Sequence, residues 1–502
     1  LTALVGQAFE LSFFVVNMIS GMGLALGIDY SLFIVSRLRE ERARGREQLD
    51  AIAAAGATAS RAVVFSGIAF VLALTGMVLV PDTILRSLAV GAILVGVVSV
   101  LAALTLLPAL LGLLGDSVNA LRIPWLGRAA ERSAGQEGRF WGGIVRRVMR
   151  RPVVSLVASI ALLLAAAAPV LDLHTGSAGI RTLPDRFPAK QGFLALEEAF
   201  GVGTNDSVQV VVDGDVRAPA VRAGIRRLEQ RLAVNPLFRD PEVQLHEERN
   251  LAVVQALVLG DSRDRRAIRA VEQLRAVDVP AALAGTGAEA LVTGETAEAI
   301  DYSALVGRWL PIVFAFVLGL SFVLLTIAFR SIVVSAKAIG LNLLSVGAAY
   351  GLLVLVFQWG VGNELFGFER VEAVEAWVPL FLFSVLFGLS MDYHVFLLSR
   401  IRERFTLTGD NSESVAYGVG STARLITGAA LIIIVVFSGF AAGDLVMFQQ
   451  MGFGIAVSLL IDATLIRSVL VPAAMVLLGE RNWYLPSWLR WLPRVQVEGR
   501  RG

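Results

Sequence analysis

The sequence predicts an α-helical protein that crosses a membrane many times and carries one inserted α+β domain outside the bilayer. Three observations predict this class. Hydrophobic residues make up 56% of the 502 positions and charged residues only 17%, whereas soluble domains carry about 25% charged residues. Nine apolar runs are each long enough to span a bilayer. A single long polar stretch interrupts them.

Membrane-spanning helices are expected wherever an apolar run reaches the roughly 20 residues that cross the hydrocarbon layer. The runs cover residues 12–36, 62–80, 87–114, 152–171, 309–329, 332–357, 377–399, 423–442 and 446–478. We divide the chain into the last part of a first transmembrane half (a remnant and three helices), a cytoplasmic linker, the first helix of a second half, an external domain, the other five helices and a cytoplasmic tail. These parts are expected at residues 1–115, 116–151, 152–171, 172–308, 309–478 and 479–502. The chain starts at Leu1, and no charged signal-peptide n-region precedes it, so we expect an N-terminally truncated chain.

The loops between the runs differ in charge, and this difference predicts the orientation of the protein. One set is rich in arginine, and the other is short, acidic or nearly uncharged. The first set comprises 37–61, 115–151, 330–337, 400–424 and 479–502, and the second comprises 81–86, 358–376 and 443–445. The two sets alternate along the chain, so the arginine-rich set is expected in the cytoplasm. This predicts a multi-pass protein of the cell (inner) membrane with a cytoplasmic C-terminus.

The polar stretch 172–308 is expected to fold outside the membrane as a domain of its own. Alternating patterns at 207–213 and 251–260 predict strands, and amphipathic patterns at 222–233 and 263–276 predict helices. With two further short strands, the order is β-α-β-β-α-β. This order predicts a ferredoxin-like, split βαβ domain.

The most informative feature is an internal repeat. GIDYSLFIVSRLREE at 27–41 returns as SMDYHVFLLSRIRER at 390–404, with seven of fifteen positions identical. The same offset of 363 residues pairs Arg61 with Arg424. Such long-period similarity indicates duplication. Both copies are expected to run from outside to inside, which predicts a parallel repeat about an axis along the membrane normal.

Each copy places an Asp-Tyr pair in an apolar run: Asp29 and Tyr30, then Asp392 and Tyr393. Asp29 lies about 12 Å of helix rise before Arg37, near the expected bilayer midplane. A charged group there costs roughly 3 kcal/mol on insertion scales, so function is the default interpretation. Across a pseudo-twofold axis each Asp is expected to meet the Tyr of the other copy. The sequence therefore predicts a proton relay, with a structural hydrogen-bonded pair as the alternative.

Small residues precede each Asp-Tyr pair by one and two helical turns. Gly23 and Gly27 stand before the first pair, and Ser384 and Gly388 before the second. Small side chains allow helices to approach closely in membranes. We therefore expect close helix contacts at these four positions.

Other polar residues of the spans are weaker candidates for relay support. Ser66 and Thr427 follow the Asp-Tyr spans, although such hydroxyls commonly bond their own helix backbone. His394 is expected to be a packing or solvated residue, because Ser31 occupies the matching position.

Asp462 and Arg467 in the last span are also candidates for relay support. They stand five residues apart, so we expect them to be poorly placed to pair with each other. A structural partner elsewhere, such as Arg424, is an equal alternative to a coupling role.

Several function classes lack support in the sequence. There is no cysteine, and the three histidines (His174, His246 and His394) are too dispersed to indicate a metal cluster. No Walker A, HExxH or GxSxG motif occurs, so neither ATP-driven transport nor hydrolase chemistry is indicated. No cofactor, metal, nucleic-acid partner or enzyme activity is expected.

The two Asp-Tyr segments, and the last span DATLIRSVLVPAAMVLLGERNWYLP at 462–486, resemble the MMPL family of the resistance-nodulation-division (RND) superfamily. The resemblance covers essentially the whole chain. It implies an RND-type bundle of twelve helices in two halves, with a large external domain after the first helix of each half. It also implies proton-driven export of lipids or other amphiphiles, with Asp29, Tyr30, Asp392 and Tyr393 as the buried Asp-Tyr pairs.

The expected function is export of lipids or other amphiphiles driven by the proton-motive force. The alternative is a sterol-sensing-like lipid-binding module or a protein-export accessory of the same superfamily. Expected partners are protons, a lipid or amphiphilic substrate, membrane lipids, and a second copy of the chain or accessory proteins of the cell envelope.

Overall fold

The computed structural model describes residues 2–7, 10–115, 141–176, 179–200, 207–260 and 264–493. The side chains of Thr58, Arg181, Glu197, Phe200 and Asp392 also lie outside the description. Most of the expected linker 116–151 falls there too. In the described part, nine helices have the length and composition to span a membrane, which confirms a polytopic helical membrane protein.

The first three spans form an antiparallel group. They are α1 (Phe14–Ala43), α2 (Gln48–Val78) and α3 (Thr83–Leu114). Asp82 caps α3 by accepting a hydrogen bond from the Leu85 N–H at 2.7 Å. The helical hydrogen-bond pattern of α3 is interrupted at Thr105, three residues before Pro108. The proline ring restricts the preceding backbone, and proline has no N–H to donate.

The fourth span leads from the membrane into the polar stretch. It is α4 (Pro152–Asp172), and its first residue is a proline, which suits the first helical position because no intrahelical N–H bond is made there. Helix α5 (Pro188–Phe200) follows, and the sequence pattern did not predict it.

A four-stranded sheet with helices on one face forms the core of the polar stretch. In chain order its elements are β1 (Ser207–Asp213), α6 (Pro219–Val234), β2 (Phe238–His246), β3 (Leu251–Val258), α7 (Arg265–Gln273) and β4 (Glu289–Thr293). The strands lie in the order β2-β3-β1-β4, and all neighbours are antiparallel. Alternate residues of β1 and β3 are buried in one apolar core with α6 and α7.

The remaining five spans return the chain to the membrane. They are α8 (Glu295–Phe329), α9 (Ile332–Gln358), α10 (Trp377–Thr408), α11 (Asn411–Ala441) and α12 (Val446–Trp483). Helix α10 is the most deeply enclosed of them. Two stretches adopt π-helical geometry, at Val354–Gln358 in α9 and Asp462–Leu470 in α12.

The loops that were predicted to share the non-cytoplasmic side contact one another. A two-residue strand at Thr175–Gly176 pairs with another at Val374–Glu375. The Lys190 ammonium of α5 lies 3.0 Å from a Glu369 carboxylate oxygen. Thus the start of the polar stretch and the loop before α10 lie at the same end of the bundle.

The loops predicted to be cytoplasmic meet at the opposite end. Ser331 donates a hydrogen bond to the main-chain oxygen of Asn482 at 2.5 Å. The Arg402 guanidinium lies 4.4 Å from the centre of the Trp483 ring. The described loops therefore separate into the two groups that the charge pattern predicted.

The two Asp-Tyr helices, α1 and α10, occupy equivalent places in the bundle. Helix α1 packs against α11, which is the helix that follows α10. Likewise, α10 packs against α2, which is the helix that follows α1. At the crossing, the rings of Phe33 and Phe396, which are equivalent by the 363-residue offset, meet edge to face at 4.9 Å. The ion pair between Arg37 and Glu40 is repeated by Arg400 and Glu403.

A candidate proton site on the duplication axis

A small cavity lies where α1, α2, α10 and α11 meet. Its volume of about 50 Å³ leaves room for water. Five pairs of its lining residues are related by the 363-residue offset: Tyr30 and Tyr393, Phe33 and Phe396, Ala62 and Leu425, Val63 and Ile426, and Ser66 and Ala429. The cavity is therefore centred on the axis that relates the two halves.

Asp29 brings a carboxyl group to this cavity. Its side chain is buried, with 8% of the residue exposed. The Tyr393 side chain of the other half faces the Asp29 carboxyl group, and the Arg467 guanidinium acts on that carboxyl group electrostatically. Asp29, Tyr393 and Arg467 thus bring a carboxyl group, a phenol and a guanidinium group from three different helices close enough to interact.

Two further polar side chains line the same cavity. Tyr30 is 4% exposed and Ser66 is 7% exposed. The Ser66 hydroxyl finds no hydrogen-bond partner among the described residues. It is thus available to water or to a proton carrier in the cavity.

The second aspartate of the repeat is only partly described. The backbone of Asp392 lies in α10, immediately before Tyr393, but its side chain lies outside the described residues. Asp29, Tyr30 and Tyr393 are the members of the two Asp-Tyr pairs whose side chains the structure describes.

A second polar cluster lies beside the cavity, and it corrects one expectation. Asp462 and Arg467 form a buried ion pair, with side chains 3% and 4% exposed. The separation of five residues along the chain predicts that Asp462 and Arg467 are poorly placed to pair with each other. This was wrong because the π-helical segment Asp462–Leu470 follows an i to i+5 bonding pattern, which brings residues five apart onto one face.

The ion pair is bound to α9 and α10 through a serine and an asparagine. Ser390 Oγ lies 2.9 Å from Asp462 Oδ2 and 3.0 Å from Asn342 Oδ1. Sequence reasoning missed Ser390 and Asn342, although an asparagine within an apolar run is the type of signal that marks functional polar residues in membranes. The alternative partner Arg424 is exposed and does not take part.

The cluster and the cavity share one residue, Tyr393. The Arg467 guanidinium lies over the Tyr393 ring at 4.5 Å from its centre, within the range of a cation–π interaction. Arg467 thus contacts both Asp462 and the phenol that faces Asp29. The neighbouring His394 is 1% exposed, so it is a packed residue and not a solvated one.

The structure brings some of the other predicted residues to the site and not others. Thr427 is exposed and does not line the cavity. Gly388 packs tightly on Phe70, since a Cβ there would lie 2.8 Å from the ring. Gly27 has no heavy atom within 4 Å of such a Cβ, so the expected close contact at Gly27 was wrong.

The described residues contain no group of three or more His, Asp or Glu side chains that could hold a metal ion. The polar groups at the site are carboxyl, phenol, hydroxyl and guanidinium groups.

Fold and site together define a polytopic membrane protein with two related halves and a buried acid on the axis between them. The MMPL family model matches residues 2–155 and 217–501. The chain belongs to the MMPL family, which confirms the resemblance drawn from the Asp-Tyr segments.

The sequence aligns with several relatives over nearly the whole chain. It is 39% identical, over 99% of its length, to the mycolic acid-containing lipids exporter MmpL11 of Mycolicibacterium smegmatis. It is 39% identical over 97% to the heme uptake protein MmpL11 of Mycobacterium tuberculosis, and 31% identical over 95% to the trehalose monomycolate exporter MmpL3 of that species. The matches cover 52%, 50% and 53% of these relatives. The chain thus spans about half their length.

Proposed function

We propose that the protein to which this chain belongs exports a lipid or another amphiphile, and that proton movement through the Asp29 site drives this export. One observation carries the proposal. A cavity lined by equivalent residues of two duplicated halves contains Asp29, which faces Tyr393 of the other half.

The proposed mechanism follows from the charge of the site. A buried carboxylate is costly as an anion, and a nearby cation and hydroxyl reduce that cost. When Asp29 gains a proton, its attraction to Arg467 and its contact with Tyr393 weaken. Because these partners belong to the second half, protonation changes how tightly the two halves hold together.

Arg467 is the element that connects this change to the rest of the second half. It contacts Tyr393 on one side and Asp462 on the other. We propose that Asp392, Tyr30 and Ser66 complete the relay around the axis, and that Asp462 and Arg467 couple it to α12.

We propose that the protein resides in the cell membrane, with the polar domain outside and the C-terminus in the cytoplasm. The clustering of the arginine-rich loops at one end supports this orientation. We further propose that the polar domain is ferredoxin-like, which the antiparallel strand order β2-β3-β1-β4 supports.

The substrate class rests on the relatives. Their names state export of mycolic acid-containing lipids, uptake of heme and export of trehalose monomycolate. These molecules share large apolar surfaces with a polar part. We propose such an amphiphile as substrate, and a second copy or envelope proteins as assembly partners.

The test uses the full-length protein that contains this chain, reconstituted in vesicles with a fluorescent trehalose glycolipid as substrate. Asp29→Asn and Asp392→Asn should each abolish substrate flux driven by a proton gradient, while protein incorporation remains unchanged. Thr427→Val, which alters an exposed residue of the same bundle, is the control and should transport normally. Wild-type flux from Asp29→Asn would refute the proposal. Substrate binding without flux in the wild type, insensitive to a protonophore, would favour the lipid-binding alternative.

A further inference from the structure

The segment that follows α12 exposes large aromatic side chains beside the arginine-rich end of the bundle. Trp488 is 72% exposed, Trp491 is 75% exposed and Tyr484 is 56% exposed. Tryptophan and tyrosine concentrate at the boundary between membrane and water, because their rings favour the headgroup region. The position of this segment, directly after a membrane span, places these rings at that boundary.

Cationic side chains without acidic partners lie next to the aromatic segment. Arg330 comes from the loop before α9, and Arg402 comes from α10. Among the described residues, no carboxylate forms an ion pair with either of them. Arg330 and Arg402 lie close enough to repel each other electrostatically. Like charges held together in this way favour an anion that binds between them.

The contacts that hold this region fix the cations relative to the aromatic segment. Arg330 donates hydrogen bonds to the main-chain oxygens of Arg490, at 2.9 Å, and Leu492. Because Arg330 bonds the segment between the two exposed tryptophans, the rings and the charges form one surface.

The Trp483 ring joins Arg402 to this surface. It lies under the Arg402 guanidinium and stacks on Phe405, with 5.6 Å between the ring centres. The aromatic face holds the guanidinium without neutralising it. Arg402 therefore keeps its full charge for an external anion.

We propose that this surface, formed by Arg330, Arg402, Trp488 and Trp491, binds the phosphate headgroup of an anionic phospholipid of the adjoining leaflet. The cations supply the attraction to phosphate. The exposed tryptophans supply contact with the glycerol and the upper acyl chains, which a water-soluble phosphate lacks. This membrane-lipid site lies at the opposite end of the bundle from the polar domain and is separate from the proton site.

The test is a lipid titration of the purified chain by native mass spectrometry, which resolves single bound lipids. Dioleoyl phosphatidylglycerol should bind more tightly than dioleoyl phosphatidylcholine. The double variant Arg330→Gln/Arg402→Gln should weaken the first phosphatidylglycerol site by about five-fold for each charge removed. Arg402→Lys should retain most of the binding.

A matched control comes from the first half of the duplication. Arg39 is equivalent to Arg402 by the 363-residue offset and is exposed, so Arg39→Gln removes one charge without touching the proposed surface. It should leave the first phosphatidylglycerol site unchanged.

Three outcomes would overturn the proposal. These are equal affinity for the two lipids, equal loss of binding in Arg39→Gln and in the double variant, or displacement of phosphatidylglycerol by glycerol phosphate at similar concentration. The last outcome would assign the surface to a soluble anion. Elution of each variant at the wild-type volume on size exclusion shows that it is folded.

Discussion

The buried pair of Asp462 and Arg467 allows a quantitative test of the π-helical geometry. Arg467→Met removes the charge but keeps a long side chain, which leaves Asp462 with Ser390 as its described hydrogen-bond donor. Breaking a pair this deeply buried costs about 3–5 kcal/mol of folding free energy, mainly because one charge stays buried alone. Asp462→Asn should cost a similar amount, since Arg467 then loses its carboxylate.

The double variant Asp462→Asn/Arg467→Met should be far more stable than the sum of the two single effects predicts. Neither buried charge remains, so most of the desolvation penalty disappears with the pair. We expect a coupling free energy of about 2–3 kcal/mol, at the upper end of the range for contacting residues. This corresponds to a change of roughly 30- to 150-fold in the unfolding equilibrium constant.

The assay is equilibrium unfolding of the chain in mixed micelles, followed by circular dichroism for the wild type, both single variants and the double variant. Arg424→Met is the matched control, because Arg424 is exposed, and it should change stability by less than about 0.5 kcal/mol. Additive single effects, or an Arg467→Met variant as stable as the control, would refute the pairing and with it the π-helical register.

Three further predictions concern packing, the phenol and the extramembrane contacts. Gly351→Ala should destabilise the bundle by about 3 kcal/mol, because a Cβ there would overlap the main-chain oxygen of Ala166. In the control Gly347→Ala, the new Cβ would lie 3.6 Å from Ala167, so this variant should be tolerated. Equal thermal stability of the two variants in detergent would contradict this prediction. Tyr393→Phe should reduce proton-driven flux of the full-length protein by at least tenfold at normal protein levels, since it removes only the hydroxyl that faces Asp29, and unchanged flux would exclude this phenol from the relay. Burial disfavours the charged form of Lys190, but the carboxylates of Asp185 and Glu369 outweigh this effect and raise the Lys190 pKa above its ordinary value. The salt bridge between Lys190 of α5 and Glu369 is therefore complete at neutral pH. It is lost only as the pH rises past that raised pKa. Hydrogen exchange of 188–200, corrected for intrinsic rate, should therefore stay constant from pH 6 to 9 in the wild type and rise in Lys190→Met but not in Lys190→Arg; a rise within that pH range would contradict the assignment.

The parts of the fold that the sequence predicts well are those with a local or repeated signal. Apolar runs located all nine spans, since hydrophobic length is a property of consecutive residues. The ends were less accurate where polar residues continue a helix beyond the bilayer. Helix α2 begins at Gln48 and α8 at Glu295, 14 residues before the apolar runs that predicted them.

The candidate site was predicted in part for the same reason. Self-similarity located Asp29 and Tyr393 and the axis between them, and the structure brings these two residues together. Self-similarity did not predict the Asp462–Arg467 pair. A π-helical segment changes which residues share a helix face, and it leaves no periodic pattern in the sequence. Nor did self-similarity locate the contact between Asn342 and Ser390, which joins helices 48 positions apart.

The unbroken course of α8 has a mechanical consequence. Its 35 residues continue through Pro311 and amount to about 52 Å of helix, longer than the roughly 30 Å hydrocarbon layer. Arg275 fastens the outer turns of this helix to the sheet domain through two hydrogen bonds to Asp301. A tilt of about 5° at the membrane end would swing the far end by roughly 4.5 Å over that length. A slight loosening within the bilayer is thus transmitted along one continuous helix into a displacement as wide as a hydrocarbon chain.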